Sequence, residues 1–389
     1  MTIQEQRFGI EIEFTGITRN KAADVIAEYF ATFPRHLGGI YDAYSVPDTT
    51  GRAWRVVSDS SISSRATGHV RAGRSYECEL VSPICTYEDI KTVQALVRAL
   101  REEGAISNSS CGIHIHIDGS PHTAQSVRNI VNIISSKEDI LYRALNVHLG
   151  RETSYCKKTD KAFLDKINQY KPVSLEEVKD LWYEGCPSRS NEHYDNSRYR
   201  CLNLHSLFNK GTIEFRCFNS DIQHAGKIRD YIQFCLAVSA QAINQKRAYA
   251  HETVSVNECY TFRTWLIRIG LNGKEFESCR LHMLANLNGP KDWKDKEAAM
   301  RRREERAYEL AQLLTEESNH PEPAVSEPTA DTQPVIPLRQ QVNEFVQLLE
   351  SVGAEERARI MDILNGRTQQ QTPGDGAAAG IVPAQRGRR

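Results

Sequence analysis

The chain has 389 residues, 40% of them hydrophobic and 25% charged, which is typical of a globular protein with enough length for a large core. Its formal net charge is −1, so the charge balance favours neither a nucleic-acid partner nor a membrane surface. No apolar run approaches the roughly 20 residues of a membrane-spanning helix. The amino-terminal segment lacks the apolar core of a signal peptide, and the 10 cysteines then indicate reduced thiols and a cytoplasmic location.

The first 245 residues alternate between strand and helix patterns. The segment Phe8–Phe14 alternates apolar and acidic residues, which predicts a half-buried strand. Further strands are predicted at 52–62, 74–81 and 111–118, and a hairpin joins 198–207 to 211–218 through a turn at 208–211. Amphipathic helices are predicted at 20–33, 86–104, 121–147 and 224–245, with Pro121 opening the third and Ser174 capping a shorter one. The segments expected to be loops that set specificity are 35–52, 62–74 and 148–197.

The composition changes near residue 290, which predicts a main domain over 1–290 and a carboxyl-terminal extension. The extension divides by composition into a charged helix, a Pro-rich disordered linker, a short amphipathic helical pair and a disordered tail, at 291–317, 318–337, 338–365 and 366–389. So short a helical pair is not stable alone. Its apolar stripe predicts either a homo-oligomer assembled through 338–365 or packing back on the main domain.

Four of the predicted strands carry ionisable residues in alternation with apolar ones. They are Glu11 with Glu13, Glu77 with Glu79, His114 with His116, and Glu214 with Arg216. Because strand side chains alternate, the two ionisable groups of each motif point the same way, about 7 Å apart. If the strands share one sheet, five carboxylates crowd together and repel one another unless cations lie among them. Hard oxygen ligands of this kind suit Mg²⁺ or Mn²⁺, and with Arg216 they could hold a metal-bound nucleotide phosphate.

Each motif also has an ordinary explanation. A single Glu-x-Glu strand usually presents a solvated face, and Glu214 with Arg216 could be a surface ion pair worth under about 1 kcal/mol. Cys111 with His114 and His116 has ligand types of a zinc site, but a fourth ligand at matching spacing is missing. Asp59 could bind or deprotonate an amine, or only cap a turn. The occurrence of four such motifs in one chain favours a shared metal site.

The order and type of these motifs resemble the amidoligase family, which belongs to the glutamine synthetase and γ-glutamylcysteine synthetase superfamily of carboxylate–amine ligases. The resemblance covers roughly residues 7–245. It rests on GIEIE at 9–13, Trp54 with Asp59, ECELVSP at 77–83, CGIHIHID at 111–118, Arg198 and Tyr199 with Asn203, and TIEFR at 212–216.

The resemblance implies an α+β fold in which a curved antiparallel β-sheet forms a half-barrel with outer helices, like the catalytic domain of glutamine synthetase. The helical extension after about residue 290, predicted from composition, lies outside the resemblance. It implies ATP and two or more Mg²⁺ ions, with Mn²⁺ as a possible substitute. A carboxylate substrate would form an acyl phosphate, and an amine from an amino acid, peptide or protein acceptor would displace the phosphate. Nucleic acid and membrane are not expected partners.

The resemblance also implies residue roles. The metal ligands would be Glu11, Glu13, Glu77, Glu79, His116 and Glu214. The catalytic groups would be Arg216, His114, His116 and Asp59. The nucleotide would be bound with the help of Glu11, Glu13, Arg216, Asn203 and Arg198. Two alternatives stay open: a metal-dependent hydrolase that uses the same ligands without ATP, and a non-catalytic assembly protein on a ligase-derived scaffold.

Overall fold

The computed structural model describes residues 1–66 and 70–292, together with Arg301 and Arg306. The chain divides into two compact units, Met1–Ala299 and Met300–Arg389. The predicted charged helix lies almost entirely outside the described residues, and the predicted linker, helical pair and tail lie wholly outside them.

The described part of the first unit is built on one antiparallel sheet. Its eight strands are β1 Phe8–Phe14, β2 Arg35–Gly38, β3 Ala43–Pro47, β4 Ala53–Val57, β5 Cys78–Val81, β6 Gly112–Asp118, β7 Leu202–Asn203 and β8 Thr212–Asn219. Their order across the sheet is β2-β3-β4-β5-β1-β6-β8-β7. The four motif strands β5, β1, β6 and β8 are therefore neighbours, as the site prediction required.

Strand register places the ionisable residues opposite one another. Directly facing pairs are Glu13 with Glu79 between β1 and β5, Glu11 with His114 between β1 and β6, and His116 with Glu214 between β6 and β8. Residues that face each other across antiparallel strands have side chains about 5 Å apart on the same face of the sheet. The register alone therefore builds a continuous polar row across four strands.

Ten α-helices accompany the sheet in the described residues. They are α1 Arg19–Phe30, α2 Ile90–Glu102, α3 Ala124–Leu145, α4 Leu149–Ser154, α5 Lys161–Tyr170, α6 Leu175–Trp182, α7 His205–Lys210, α8 Ala225–Asn244, α9 Glu258–Arg268 and α10 Glu277–Leu284. The apolar face of the sheet forms one core with helices α1, α2, α3 and α8. In this core Ile10, Ile12 and Phe14 are at most 1% exposed. Since these side chains alternate with Glu11 and Glu13, burying them turns the carboxylates toward the opposite face.

Helix starts follow the local capping chemistry. Thr86 and Asp89 form a capping box before α2, and the Ser174 side chain accepts from the Glu177 N–H at the start of α6. The prediction that Pro121 opens α3 was wrong. The hydroxyl of Thr123 caps that helix instead, by accepting from the Ser126 N–H.

Several predicted boundaries also need correction. The segment 35–52, expected to be a loop, contains β2 and β3, and the segment 148–197 contains α4, α5 and α6. The prediction of a hairpin turn at 208–211 was wrong, because the short helix α7 connects β7 to β8. That helix ends at Gly211, whose φ of 75° lies in the left-handed region that glycine adopts readily.

The fold class is α+β, with an open, curved antiparallel sheet, as the resemblance implied. The closer likeness to the glutamine synthetase catalytic domain stays a prediction. Among the described residues, no helix combines the length and apolar character needed to cross a lipid bilayer.

Candidate active site

Six carboxylate and imidazole side chains on the polar face of the sheet, together with Asp59 just after β4, form three overlapping groups. The groups are Glu13 with Asp59 and Glu79, Glu11 with Glu79 and His114, and Glu11 with His116 and Glu214. Within each group, one nitrogen or oxygen atom from every residue lies within 4.8 Å of the others. Because Glu79 and Glu11 each belong to two groups, the three form one continuous row, which we call the carboxylate–histidine row.

Hydrogen bonds at Nδ1 orient the two imidazoles of the row, and each Nε2 atom lies near a carboxylate oxygen. The Nδ1 atom of His116 lies 2.9 Å from the Thr212 hydroxyl oxygen, and its Nε2 atom lies 3.2 Å from a Glu11 oxygen. The Nδ1 atom of His114 lies 3.1 Å from the other Glu11 oxygen, and its Nε2 atom lies 3.8 Å from Glu13. Partners of this kind commonly orient histidines that bind metals.

At one end of the row, negative charge is poorly compensated. Burial and then the nearby Asp59 carboxylate raise the pKa of Glu13 to about 7, although Arg151 and the Gly112 N–H act in the opposite direction. Burial and the neighbouring carboxylates, Glu11 first, raise the pKa of Glu79 well above its ordinary value. Protonated or cation-bound carboxylates are therefore the stable state at this end of the row.

At the other end, protein cations balance the charge. Burial opposes ionisation of Glu11, but His116 and the hydrogen bond from His114 hold the pKa of that carboxyl well below its ordinary value. Burial likewise opposes ionisation of Glu214, yet Arg216 and the histidines lower its pKa to about 2. Burial, with the charge of Arg216, lowers the pKa of His114 to about 4, so its imidazole is neutral near pH 7.

The donor set of the row fits hard divalent cations. Carboxylate oxygens predominate, neutral imidazole supplies further donors, and the excess carboxylate charge around Glu13 and Glu79 favours a cation. In the described residues, none of the three groups includes a cysteine. The thiol of Cys111 lies 3.7 Å from the Asn108 side-chain oxygen, so these groups lend no support to the zinc interpretation of the Cys–His motif.

Arg216 and Asn203, both predicted to lie in the site, contact the row through Glu214. Arg216 is 5% exposed, forms an ion pair with Glu214, and donates from Nε to the Tyr155 carbonyl at 3.3 Å. The Asn203 amide donates to the second Glu214 oxygen at 2.7 Å. Glu214 is therefore held from two sides, in a position that leaves it beside His116.

Besides Arg216 and Asn203, two more predicted site residues are not members of the row. Glu77 precedes β5 rather than lying within it, and its carboxylate accepts from the Ser58 hydroxyl at 3.0 Å. Arg198 donates to the His193 carbonyl at 2.9 Å, and it lines a small recess that Asn203 and Glu214 also border. The metal role of Glu77 and the nucleotide role of Arg198 stay predictions.

Two cations near the row were missed from the sequence. Arg151 on α4 is 3% exposed, and it donates to the Arg216 carbonyl at 3.0 Å while its charge acts on Glu13. Its guanidinium lies so close to Gly112 that a Cβ atom there would sit 2.2 Å from it. Lys210, the last residue of α7, has its Nζ atom 3.5 Å from a Glu11 oxygen. Gly112, the glycine of the Cys-Gly-x-His motif, indicates that another group packs closely against this strand, but the sequence does not identify that group as Arg151.

A cleft with a volume of about 320 Å³ opens beside Glu11 and His116. Its apolar wall comes from the segment 81–84, and the charged side chains of Arg7 and Lys210 also line it. Gly9 lies on the same face of β1 as Glu11, because the two residues are two positions apart. Its missing side chain leaves the space between this wall and His116 open.

A comparison with known protein families identifies the family of this chain. Residues 4–239 match the family model described as "Putative amidoligase enzyme". The comparison with curated proteins gives no significant match. The matched region spans more than half of the 389 residues and contains every strand of the sheet and every member of the carboxylate–histidine row. The chain therefore belongs to this amidoligase family.

Proposed function

We propose that this protein is an ATP-dependent carboxylate–amine ligase that uses Mg²⁺ or Mn²⁺. The observation that carries the proposal is the carboxylate–histidine row, in which three overlapping groups of ligand atoms lie side by side in a member of the amidoligase family. Phosphoryl transfer depends on positioning and on neutralising charge at the phosphates, and a row of cation sites suits both needs. Bound divalent cations would supply the positive charge for the phosphates.

The cleft beside Glu11 and His116 is the proposed site for the nucleotide. Its apolar wall suits a nucleotide base, and the cleft is also lined by Glu11 and His116 of the row. Lys210 borders both the cleft and Glu11, so its ammonium group is placed to attract phosphate oxygens. The recess lined by Arg198 and Asn203 lies next to Glu214 and extends the same polar surface.

The proposed reaction has two transfers. An oxygen of the substrate carboxylate attacks the γ-phosphorus of ATP, and the bond to the ADP oxygen breaks. The amine nitrogen then attacks the resulting acyl phosphate, phosphate leaves, and the nitrogen loses a proton. Asp59, which shares a group with Glu13 and Glu79, is the candidate to accept that proton. His114, which is neutral near pH 7, hydrogen-bonds to Glu11.

The proposal is tested by measuring ADP and phosphate release with Mg²⁺ across a panel of amino acids, polyamines and short peptides. A productive carboxylate and amine pair should raise ADP release together with formation of an amide detectable by mass spectrometry. Glu11→Gln should abolish this activity, because Glu11 belongs to two of the three groups. The matched control is Glu176→Gln, an equivalent change at a side chain that is 81% exposed on α6.

Two outcomes would contradict the ligase proposal. One is the absence of substrate-stimulated ADP release throughout the panel, with cation binding intact. The other is cation-dependent cleavage of a peptide or amide without nucleotide, which would support the metal-dependent hydrolase instead.

A further inference from the structure

A second cavity lies in the helical layer, between α3, α8 and α9, and has a volume of about 570 Å³. It shares no residue with the carboxylate–histidine row or its cleft. Its lining is rich in hydroxyl, amide and cationic groups, and it includes Ser136, Lys137, Gln241, Thr253, Tyr260 and Arg268. A polar cavity of this size, set apart from the proposed active site, needs its own explanation.

The charge in this cavity is positive and has no counter-charge. Lys137 and Arg268 both line it, and no aspartate or glutamate does. Across residues 1–66 and 70–292, neither cation forms an ion pair with a carboxylate. This arrangement stands out in a chain whose formal net charge is −1. Two neighbouring cations without an acid repel each other, and an anion between them would relieve the repulsion.

The cavity also offers hydrogen-bond donors without a protein acceptor. Lys137 donates to the Thr253 hydroxyl oxygen at 2.6 Å and to the Ser136 hydroxyl oxygen at 3.4 Å, which leaves one N–H bond of the ammonium group and the O–H bond of Thr253 available. Within the described part of the chain, the half-buried Tyr260 hydroxyl and the exposed Arg268 guanidinium have no protein hydrogen-bond partner. Donors on three elements therefore converge where an acceptor-rich ligand would fit.

The other contacts of Lys137 and Arg268 do not compensate their positive charges. The Lys137 ammonium lies 5.9 Å from the centre of the Trp265 ring, a favourable cation–π position that supplies no negative charge. Arg268 lies in the last turn of α9, where a cation interacts favourably with the helix dipole. Neither contact neutralises a full charge.

We propose that this cavity is a binding site for a small anion that carries a phosphate or carboxylate group, held between Lys137 and Arg268. The site lies on the helices behind the sheet, so its ligand is a separate molecule from the nucleotide and the substrates of the active site. Trp265, beside Lys137, provides an intrinsic reporter of binding.

The experiment titrates the full-length protein, in EDTA and at constant ionic strength set with NaCl, with pyrophosphate in one arm and citrate in the other. Binding is followed by tryptophan fluorescence and by calorimetry. We expect saturable binding of at least one of the two anions, and the arm with the tighter binding identifies the preferred anionic group. Lys137→Met, which keeps the alkyl chain over Trp265, and Arg268→Gln should each weaken binding about tenfold or more.

The matched control is Arg263→Gln, which removes the same charge from the same helix at a residue that does not line the cavity. It should leave binding unchanged. Glu11→Gln should also leave it unchanged, which separates this site from the proposed active site. The proposal is overturned if neither anion binds saturably, or if Arg263→Gln weakens binding as much as Arg268→Gln, since that result would indicate diffuse attraction to a basic surface.

Discussion

Replacing Glu13 by Gln should change how the stability of the metal-free protein depends on pH. Glu13 is 3% exposed, and burial with the Asp59 charge raises its pKa from 4.5 to about 7. Between those values the folded state binds more protons than the unfolded state, so stability falls as pH rises. A shift of this size corresponds to about 3 kcal/mol. Gln keeps an oxygen for the Gly112 N–H but cannot ionise.

We therefore expect Glu13→Gln to have nearly wild-type stability at pH 4 and to be about 3 kcal/mol more stable than the wild type above pH 8. The assay is urea denaturation in EDTA at several pH values, comparing the wild type, Glu13→Gln and the exposed control Glu176→Gln. Adding Mg²⁺ at pH 8 should stabilise the wild type more than Glu13→Gln, because a ligand stabilises the state that binds it. If the difference in unfolding free energy between the wild type and Glu13→Gln does not change with pH, burial and the Asp59 charge do not raise the pKa of Glu13 in the folded protein.

Three further predictions follow from buried groups near the sheet. Gly112→Ala should displace the Arg151 guanidinium and cost about 1–3 kcal/mol, as judged by thermal unfolding, and adding Arg151→Ala should recover part of that loss. Glu138→Gln should stabilise the protein by about 3 kcal/mol above pH 8 but not at pH 4, because burial raises the pKa of Glu138 to about 7. Gly9→Val should fill the cleft and weaken nucleotide binding at least tenfold while cation binding persists, since a Cβ at Gly9 meets only ordinary contacts. Equal loss of cation binding would contradict this role for Gly9.

Strand periodicity is strict, so the sequence could predict which side chains share one face of the sheet. Once the apolar residues Ile10 and Ile12 are buried, Glu11 and Glu13 must face the other side of the sheet. The four motifs did not reveal which strands are neighbours, because pairing depends on the whole topology. The structure supplies that order, and its register sets Glu11 opposite His114.

The features that were missed depend on tertiary contacts. Arg151 lies on a six-residue helix in a polar segment, and only its approach to Gly112 brings it to the row. Strand β2 is only four residues long and mostly exposed, so its sequence shows no apolar alternation. Glu77 lies just outside β5, because a short 3₁₀ turn at Arg74–Tyr76 delays the start of that strand. Local patterns do not specify such short elements.

The central claim is that the carboxylate–histidine row binds hard divalent cations. Equilibrium dialysis with Mn²⁺ against the purified wild type, Glu11→Gln and Glu176→Gln tests it most directly. We predict more than one Mn²⁺ bound per chain for the wild type and for Glu176→Gln, and a clear reduction for Glu11→Gln, because two of the three groups share Glu11. Wild-type protein that binds no Mn²⁺ stoichiometrically, or a Glu11→Gln variant that binds as much as the wild type, would contradict the account.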